Sequence, residues 1–215
     1  MTRIYSIEGN IGSGKSTLVK ILKQYFKKDT SSNIIFADEP VKEWMSVVDS
    51  SGDDILSKFY RDQHKYGFSF QMMAYISRIS VLRKLVKDNP DSIIFTERSV
   101  YTDKNVFAQM LHDEGKINEI DFIIYNKWFN HFLEEIDITG IIYIQTNPEK
   151  CAERIIKRNR KGETIDLSYL QLCHKYHENW LNNFTNVLTF DGNYDLDENI
   201  ESYTNMINNI VSNIN

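Results

Sequence analysis

The stretch Gly9-Asn10-Ile11-Gly12-Ser13-Gly14-Lys15-Ser16-Thr17 decides the fold. It satisfies G-x-x-x-x-G-K-[ST] at every fixed position, and it stands between an apolar run containing Ile4, Tyr5 and Ile7 and an amphipathic run that begins at Lys15. That context, strand then loop then helix, is the one in which the pattern has a physical meaning. The glycines let backbone N–H groups close around phosphate oxygens, and the helix N-terminus adds positive potential. Lys15 is placed to reach the β- and γ-phosphates, and the Ser16 hydroxyl to help hold Mg²⁺. The loop predicts a nucleoside triphosphate ligand without saying what becomes of it.

Working outward, five short apolar runs read as buried strands, at 3–8, 33–38, 92–96, 140–145 and 186–190. Ile and Val dominate them and charges are few, as in parallel strands covered on both faces. Between them the 3.6-residue period predicts helices over 15–26, 68–86, 119–135, 148–158, 166–183 and 197–214. Pro148 suits a first helical turn, with Asn147 as its cap. Alternating strands and helices predict an α/β fold of the P-loop kinase kind: a five-stranded parallel sheet with helices on both faces. Residues 41–91 are longer than a crossover needs, and extra length at the carboxyl edge of such a sheet usually carries substrate contacts.

The chain has 215 residues, enough for one domain with a full core and too few for two ordinary ones, so it is read as a single domain over 1–215. Its net charge of -5 argues against binding polymeric nucleic acid, which needs a broad basic surface. No apolar run approaches the length of a membrane span, and no leader pattern is visible at the N-terminus. The two cysteines, Cys151 and Cys173, lie in helical patterns without C-x-x-C spacing, which favours a reduced, cytoplasmic chain. Asn126-Lys127-Trp128-Phe129 lacks the Asp of a guanine-reading N-K-x-D, so a small kinase is expected rather than a GTPase.

Acid–base candidates cluster at the strand ends. Glu39, in Asp38-Glu39-Pro40, can accept the proton of an attacking hydroxyl, although position alone leaves it equally a turn carboxylate. Glu97 and Arg98 end the third strand; Glu97 suits Mg²⁺ and Arg98 a transferring phosphoryl group, with a surface ion pair as the alternative. Arg154, Lys157, Arg158 and Lys161 share a helix face beside Arg160. They read as a short mobile lid over about 154–165 or as a solvated face. Gln71, Ala74 and Arg78 share a face too, and Gln71 offers a donor and an acceptor side by side to a nucleobase edge. The aromatics near it, Phe59, Tyr60, Phe68 and Phe70, suit either stacking or core.

Taken in order, Gly9 to Thr17, Glu39-Pro40-Val41 with Trp44, Tyr60, Phe70-Gln71, Glu97-Arg98-Ser99, Arg154 with Arg158, Arg160 and Glu163, and Tyr169-Leu170 through His174, His177-Glu178 and Trp180-Leu181 resemble the deoxyribonucleoside kinase family. The resemblance runs from about residue 3 to 191. It implies ATP-dependent phosphorylation of a deoxyribonucleoside 5′-hydroxyl in nucleotide salvage, with Glu39 as base, Arg98 beside the hydroxyl and Glu97 beside the metal. It implies Gln71 on the base edge, Trp44 and Phe70 lining the base pocket, and Tyr60 and Glu163 on the sugar 3′-hydroxyl. Arg154, Arg158 and Arg160 would close on the phosphates, Asp191-Gly192-Asn193 would lie near the adenine, and two copies would pair through helices 68–86 and 119–135.

Within that family, members resembling the deoxycytidine and deoxyguanosine kinases carry an Arg on the Gln helix and an Asp after Glu-Arg-Ser. This chain has Arg78 and Asp103 there. Such a pair would donate to cytosine or purine acceptors and crowd the thymine methyl, so deoxycytidine, deoxyadenosine or deoxyguanosine is expected over thymidine. Gly162, and Tyr194-Asp195-Leu196 after the last strand, depart from the family's commonest residues. A thymidylate-type kinase would need a second phosphate site, and no extra Arg stands between Val41 and Phe59 to make one. A non-catalytic relative should have lost Lys15, Glu39 or Arg98, and all three are present.

Overall fold

Strand β1 (Arg3–Glu8) has Ile4, Tyr5 and Ile7 buried, on alternating faces, which a strand tolerates only when layers cover both sides. A computed structural model describes residues 1–27, 33–133, 136–160, 163–195 and 200–214 of the chain. The elements after β1 are α1 (Lys15–Phe26), β2 (Ile34–Ala37), α2 (Val41–Ser46), α3 (Ile55–Arg61), α4 (Gln63–Asp88) and β3 (Ile93–Glu97). Then come α5 (Val100–Thr102), a π-helical turn (Asp103–Ala108), α6 (Gln109–Asp113), α7 (Glu119–Leu133), β4 (Gly140–Gln145), α8 (Pro148–Arg158), α9 (Leu167–Leu181), β5 (Val187–Asp191) and α10 (Ile200–Ile214).

The five strands are all parallel in the order β2-β3-β1-β4-β5. The register sets Tyr5 opposite Phe95 and Gly140. Ile4, Ile94 and Ile141 face a layer containing Tyr75, Ile79, Leu82, Tyr125 and Phe129 of α4 and α7. Tyr5, Phe95 and Ile142 face the other layer, with Leu18 and Leu22 of α1 and Ile210 of α10. The chain order reverses direction beside β1, so the carboxyl ends of β1, β2 and β3 open onto one crevice. A third apolar group, including Trp44, Leu56, Phe59, Phe70 and Leu111, roofs that crevice from α2, α3, α4 and α6.

The expected strands stand within two residues of their predicted bounds, and α1 and α8 match theirs. Three local expectations are corrected. Helix α4 starts at Gln63 rather than at residue 68, because Asp62 caps it, accepting from the Lys65 N–H at 3.1 Å. Residues 100–113 are helical, which the apolar period does not announce, since the π turn interrupts it. Asn147 occupies the cap position of α8, but its side chain makes no capping bond; Pro148, lacking an N–H, removes one donor from the first turn. Helix α8 ends at Arg158 as expected, where Asn159 turns left-handed at φ 47°, and Arg160 lies just beyond it. Lys161, Gly162 and residues 134–135 and 196–199, named in the readings above, lie outside the described residues.

Candidate active site

The phosphate loop owes its path to backbone conformations that side chains resist. Gly9 has φ +144°, and a Cβ there would meet the Ile144 carbonyl and the Ser13 hydroxyl at 2.6 Å. Gly12 has φ +80°, and a Cβ would meet the Cys151 carbonyl at 2.6 Å. Both positions need glycine on two counts, conformation and space. Asn10 lies buried under the loop, donating to the Leu170 carbonyl at 2.8 Å and accepting from the Ile11 N–H at 2.8 Å. Gly14 is the left-handed residue before α1.

Lys15 is only 4% exposed, and its Nζ donates to the Asn10 carbonyl at 2.6 Å and the Ser13 hydroxyl at 3.5 Å. Burial, and then the nearby Arg98 charge, lower its amine from 10.5 to about 7. A lysine so placed is a site waiting for an anion, because a phosphate would restore the advantage of its charge.

One turn on, the Ser16 hydroxyl donates to Glu97 Oε1 at 2.7 Å. An alcohol and a carboxylate converge there on the edge of the cavity. Two hard oxygens of this kind fit Mg²⁺, which takes one or two protein oxygens and fills the rest of its octahedron from phosphates and water.

The far side of the site is built on charge pairs. Arg98 has φ 62°, unusual for a residue with a side chain, and from it Nη1 donates to Glu39 Oε1 at 2.8 Å and Nη2 to the Gly9 carbonyl at 3.3 Å. Arg78 donates through Nε to Asp103 Oδ2 at 2.9 Å, through Nη1 to the Glu97 carbonyl at 2.7 Å and through Nη2 to Glu39 at 3.4 Å. Burial alone would raise the Glu39 carboxyl; Arg98, Arg78 and Lys15 together outweigh it and bring it down to about 2. At Asp103 the balance tips the other way, and burial pushes the carboxyl above its ordinary value even with Arg78 beside it.

These groups share one cavity of about 470 Å³. One end is lined by Gly12, Gly14, Lys15, Ser16, Thr17 and Arg154. The other is lined by Trp44, Tyr60, Phe70, Gln71, Arg78 and Asp103, with Glu39, Glu97 and Arg98 between. The aromatics are fixed: Phe59 stacks on Phe70 at 4.6 Å, Trp44 meets Phe70 edge-on at 5.4 Å, and the Trp44 indole N–H donates to Ser77 at 2.9 Å. Gln71 is buried, and its Oε1 has no partner among the described residues. An acceptor oxygen left so at the wall of a cavity calls for a donor from a ligand. Burial, then Glu163 and Glu39, push the Tyr60 phenol well above its ordinary range, so it remains an O–H donor.

The arginines expected to act together are held differently. Arg154 is fully engaged, donating to the Ser13, Gly192 and Tyr194 carbonyls at 3.2, 2.8 and 2.8 Å and to Asp195 Oδ1 at 2.8 and 3.0 Å. It ties the phosphate loop to the end of β5. Arg158 and Arg160 line the cavity and pair with Glu163, at 2.6 and 3.7 Å. Asp191, Gly192 and Asn193 are not among the residues that line the cavity. Gly192 donates to the Gln145 carbonyl at 2.7 Å, Asp191 accepts from the Asn193 N–H at 2.9 Å, and Asn193 Oδ1 accepts from the Asn147 N–H at 2.9 Å. Asp195 and Tyr203 of α10 line the cavity in their place.

Phe107 also lines it, with the Arg98 guanidinium 5.2 Å over its ring. The sequence reading missed Phe107; the signal was its spacing of four residues from Asp103, which the π turn puts on the same wall.

Comparison with known proteins agrees with this geometry. The profile of the family described as deoxynucleoside kinase matches residues 5–215. Deoxycytidine kinase 2 of Gallus gallus is 38% identical over 200 residues, covering 83% of this chain and 74% of its own. A probable deoxycytidine kinase of fowlpox virus is 39% identical over 180 residues, covering 82% and 70%. The mitochondrial deoxyguanosine kinase of Xenopus laevis is 33% identical over 205 residues, covering 86% and 76%. With a phosphate loop and a roofed cavity on a five-stranded parallel sheet, the chain belongs to the deoxynucleoside kinase family.

Proposed function

We propose that the chain transfers the γ-phosphoryl group of ATP-Mg²⁺ to the 5′-hydroxyl of a deoxyribonucleoside, taking deoxycytidine, deoxyadenosine or deoxyguanosine in preference to thymidine. The observation that carries the reading is the Glu39 carboxylate, held by Arg98 at 2.8 Å in the same cavity as Lys15 and Ser16.

In this reading the phosphate loop and Lys15 grip the β- and γ-phosphates, while Ser16 and Glu97 hold Mg²⁺. Bound there, Mg²⁺ would neutralise charge on the phosphate oxygens. Glu39 accepts the 5′-hydroxyl proton. A carboxyl at about 2 is a weak base, yet a loose transition state leaves the hydroxyl proton in place until late, so a positioned acceptor suffices. Arg98 orients that acceptor and neutralises the incoming phosphoryl oxygens. Arg158 and Arg160 exchange Glu163 for the γ-phosphate, and Glu163, with the Tyr60 hydroxyl, turns to the sugar 3′-hydroxyl. Arg154 serves the site by bracing the phosphate loop through the Ser13 carbonyl.

At the base end, Gln71 Oε1 takes an exocyclic amine, with Trp44, Phe70 and Phe107 as walls. The Arg78–Asp103 pair, bonded at 2.9 Å, would offer N–H donors to a ring acceptor and crowd a thymine methyl. Names of the relatives, deoxycytidine and deoxyguanosine kinases, point the same way.

Helices α4 and α7 pack together and leave Ile76, Ile120, Ile123, Ile124 and Trp128 exposed, Ile120 by 66%. An apolar face of that kind on two adjoining helices suits a second copy of the chain, which supports the reading of a homodimer. Both cysteines are free and buried, with burial pushing Cys151 up to about 11 and Cys173 to about 12; inert thiols of this sort suit the cytoplasm. Among the described residues no helix is long and apolar enough to cross a membrane.

Phosphorus NMR of the product formed from ATP and deoxycytidine tests the reaction. Phosphate on the 5′-oxygen is the expected result; phosphate on the 3′-oxygen, or no nucleotide product, would remove Glu39 from its role.

A further inference from the structure

Glu8 ends β1, one residue before the phosphate loop, and is 0% exposed. Its side chain does not line the cavity, and the reaction scheme above does not use it. Four donors nevertheless converge on it. Oε1 accepts from the Ser6 hydroxyl, from the Ser99 backbone N–H at 2.9 Å and from the Ser99 hydroxyl at 2.7 Å; Oε2 accepts from the Thr102 hydroxyl. Ser99 occupies the cap position of α5, yet its hydroxyl makes no bond to its own helix and turns to Glu8 instead.

The residue next to this anchor is Arg98, with its left-handed backbone at φ 62°. A conformation so sparsely populated persists only when its surroundings over-determine it. Here they do. The Arg98 N–H donates to the Ile7 carbonyl at 3.0 Å, its carbonyl accepts from the Thr96 hydroxyl at 2.8 Å, and the following residue is tied twice to Glu8. Relaxation of Arg98 to an ordinary φ would swing its side chain off Glu39.

We infer that Glu8 is a positioning residue for phosphoryl transfer: by holding Ser99 it locks Arg98 in the backbone conformation from which the guanidinium reaches Glu39. The inference rests on the reading of Glu39 and Arg98 given above. Glu8→Gln keeps the shape but removes the charge and leaves one acceptor oxygen for four donors, of which the Ser99 N–H cannot turn round to accept.

The test is a double-mutant cycle on the full chain, with turnover followed by radiolabel transfer from ATP to deoxycytidine. Glu8→Gln should lower kcat about tenfold with KM for ATP changed less than about twofold, and in a Glu39→Gln background it should cost at most about threefold, only the contact of Arg98 with the phosphoryl oxygens being left to lose. Wild-type kcat in Glu8→Gln, or an equal loss in both backgrounds, overturns the inference. Wild-type kcat in Glu39→Gln alone would instead sink the reading of Glu39, whatever Glu8 does. If Glu8→Gln does not melt cooperatively, Ser99→Ala removes one tie and leaves the backbone N–H. It should then lower kcat about threefold, again with a smaller loss in the Glu39→Gln background, and additive losses would overturn the inference.

Discussion

Arg98 donates to Glu39 Oε1 at 2.8 Å, and the same oxygen lies 3.4 Å from Nη2 of Arg78. In the proposed reading, one carboxylate oxygen thus joins the guanidinium beside the transferring phosphoryl group to the guanidinium that faces the base. Replacing the carboxylate by an amide removes the proton acceptor while keeping size. Glu39→Gln should therefore lower kcat by about 10²–10⁴-fold, the range for a lost general base, with nucleoside affinity changed less than about threefold. Steady-state kinetics and calorimetric titration with deoxycytidine measure the two quantities; a kcat near wild type would exclude Glu39 as acceptor.

The same arrangement makes stability depend on pH. The Glu39 carboxyl is lowered from 4.5 to about 2 against the cost of burial, so the folded form holds fewer protons in that interval than the unfolded chain. Its stabilisation is complete above 4.5 and is lost as pH falls toward 2. Denaturant unfolding of wild type and Glu39→Gln should show a constant difference above that interval and a shrinking one within it. A difference that grows on acidification would contradict the pairing.

Lys15 titrates in the opposite sense. Its amine is lowered from 10.5 to about 7 by burial first and by Arg98 second, so above 7 the free site has shed a proton that phosphate binding recovers. ATP-Mg²⁺ binding should take up a proton there, and affinity should weaken toward about tenfold per pH unit at higher pH. Calorimetry in two buffers of different ionisation enthalpy reads the proton directly, and no uptake would mean that Lys15 stays charged in the free enzyme.

Arg78 and Asp103 are each about 3% exposed and bonded at 2.9 Å, so removing one alone strands the other's charge. Loss of one partner costs about 3–5 kcal/mol, whereas replacing both is far milder. Arg78→Met with Asp103→Ala should therefore fold better than either single variant, and its ratio of kcat/KM for thymidine over deoxycytidine should rise at least about tenfold. An unchanged ratio would take the pair out of base selection.

Much of this molecule is legible in the chain because its signals are local. The phosphate loop sits within nine residues, and runs such as Ile141, Ile142 and Ile144 in β4 are apolar on both faces, which only a covered parallel strand explains. What was not legible depends on through-space contacts. Helicity over 100–113 is hidden by the π turn, and with it Phe107. Arg154 looks like its neighbours Arg158 and Arg160 in sequence, yet Asp195 and three carbonyls claim it. Asp191, Gly192 and Asn193, expected near the adenine, are not among the residues lining the cavity; Gly192 bonds back to Gln145, and a Cβ on it would meet the Thr146 hydroxyl at 2.1 Å. The importance of Glu8 shows only once Ser99 and Thr102 are seen to close on it.

The most direct test of the account is ADP release from ATP-Mg²⁺ with deoxycytidine, deoxyadenosine, deoxyguanosine, thymidine and deoxythymidine monophosphate in turn, against a control without acceptor. The account predicts turnover led by deoxycytidine or a deoxypurine and none without acceptor. Thymidine in the lead would discard the role given to Arg78 and Asp103; release without any acceptor, or with the monophosphate alone, would contradict the acceptor site as a whole.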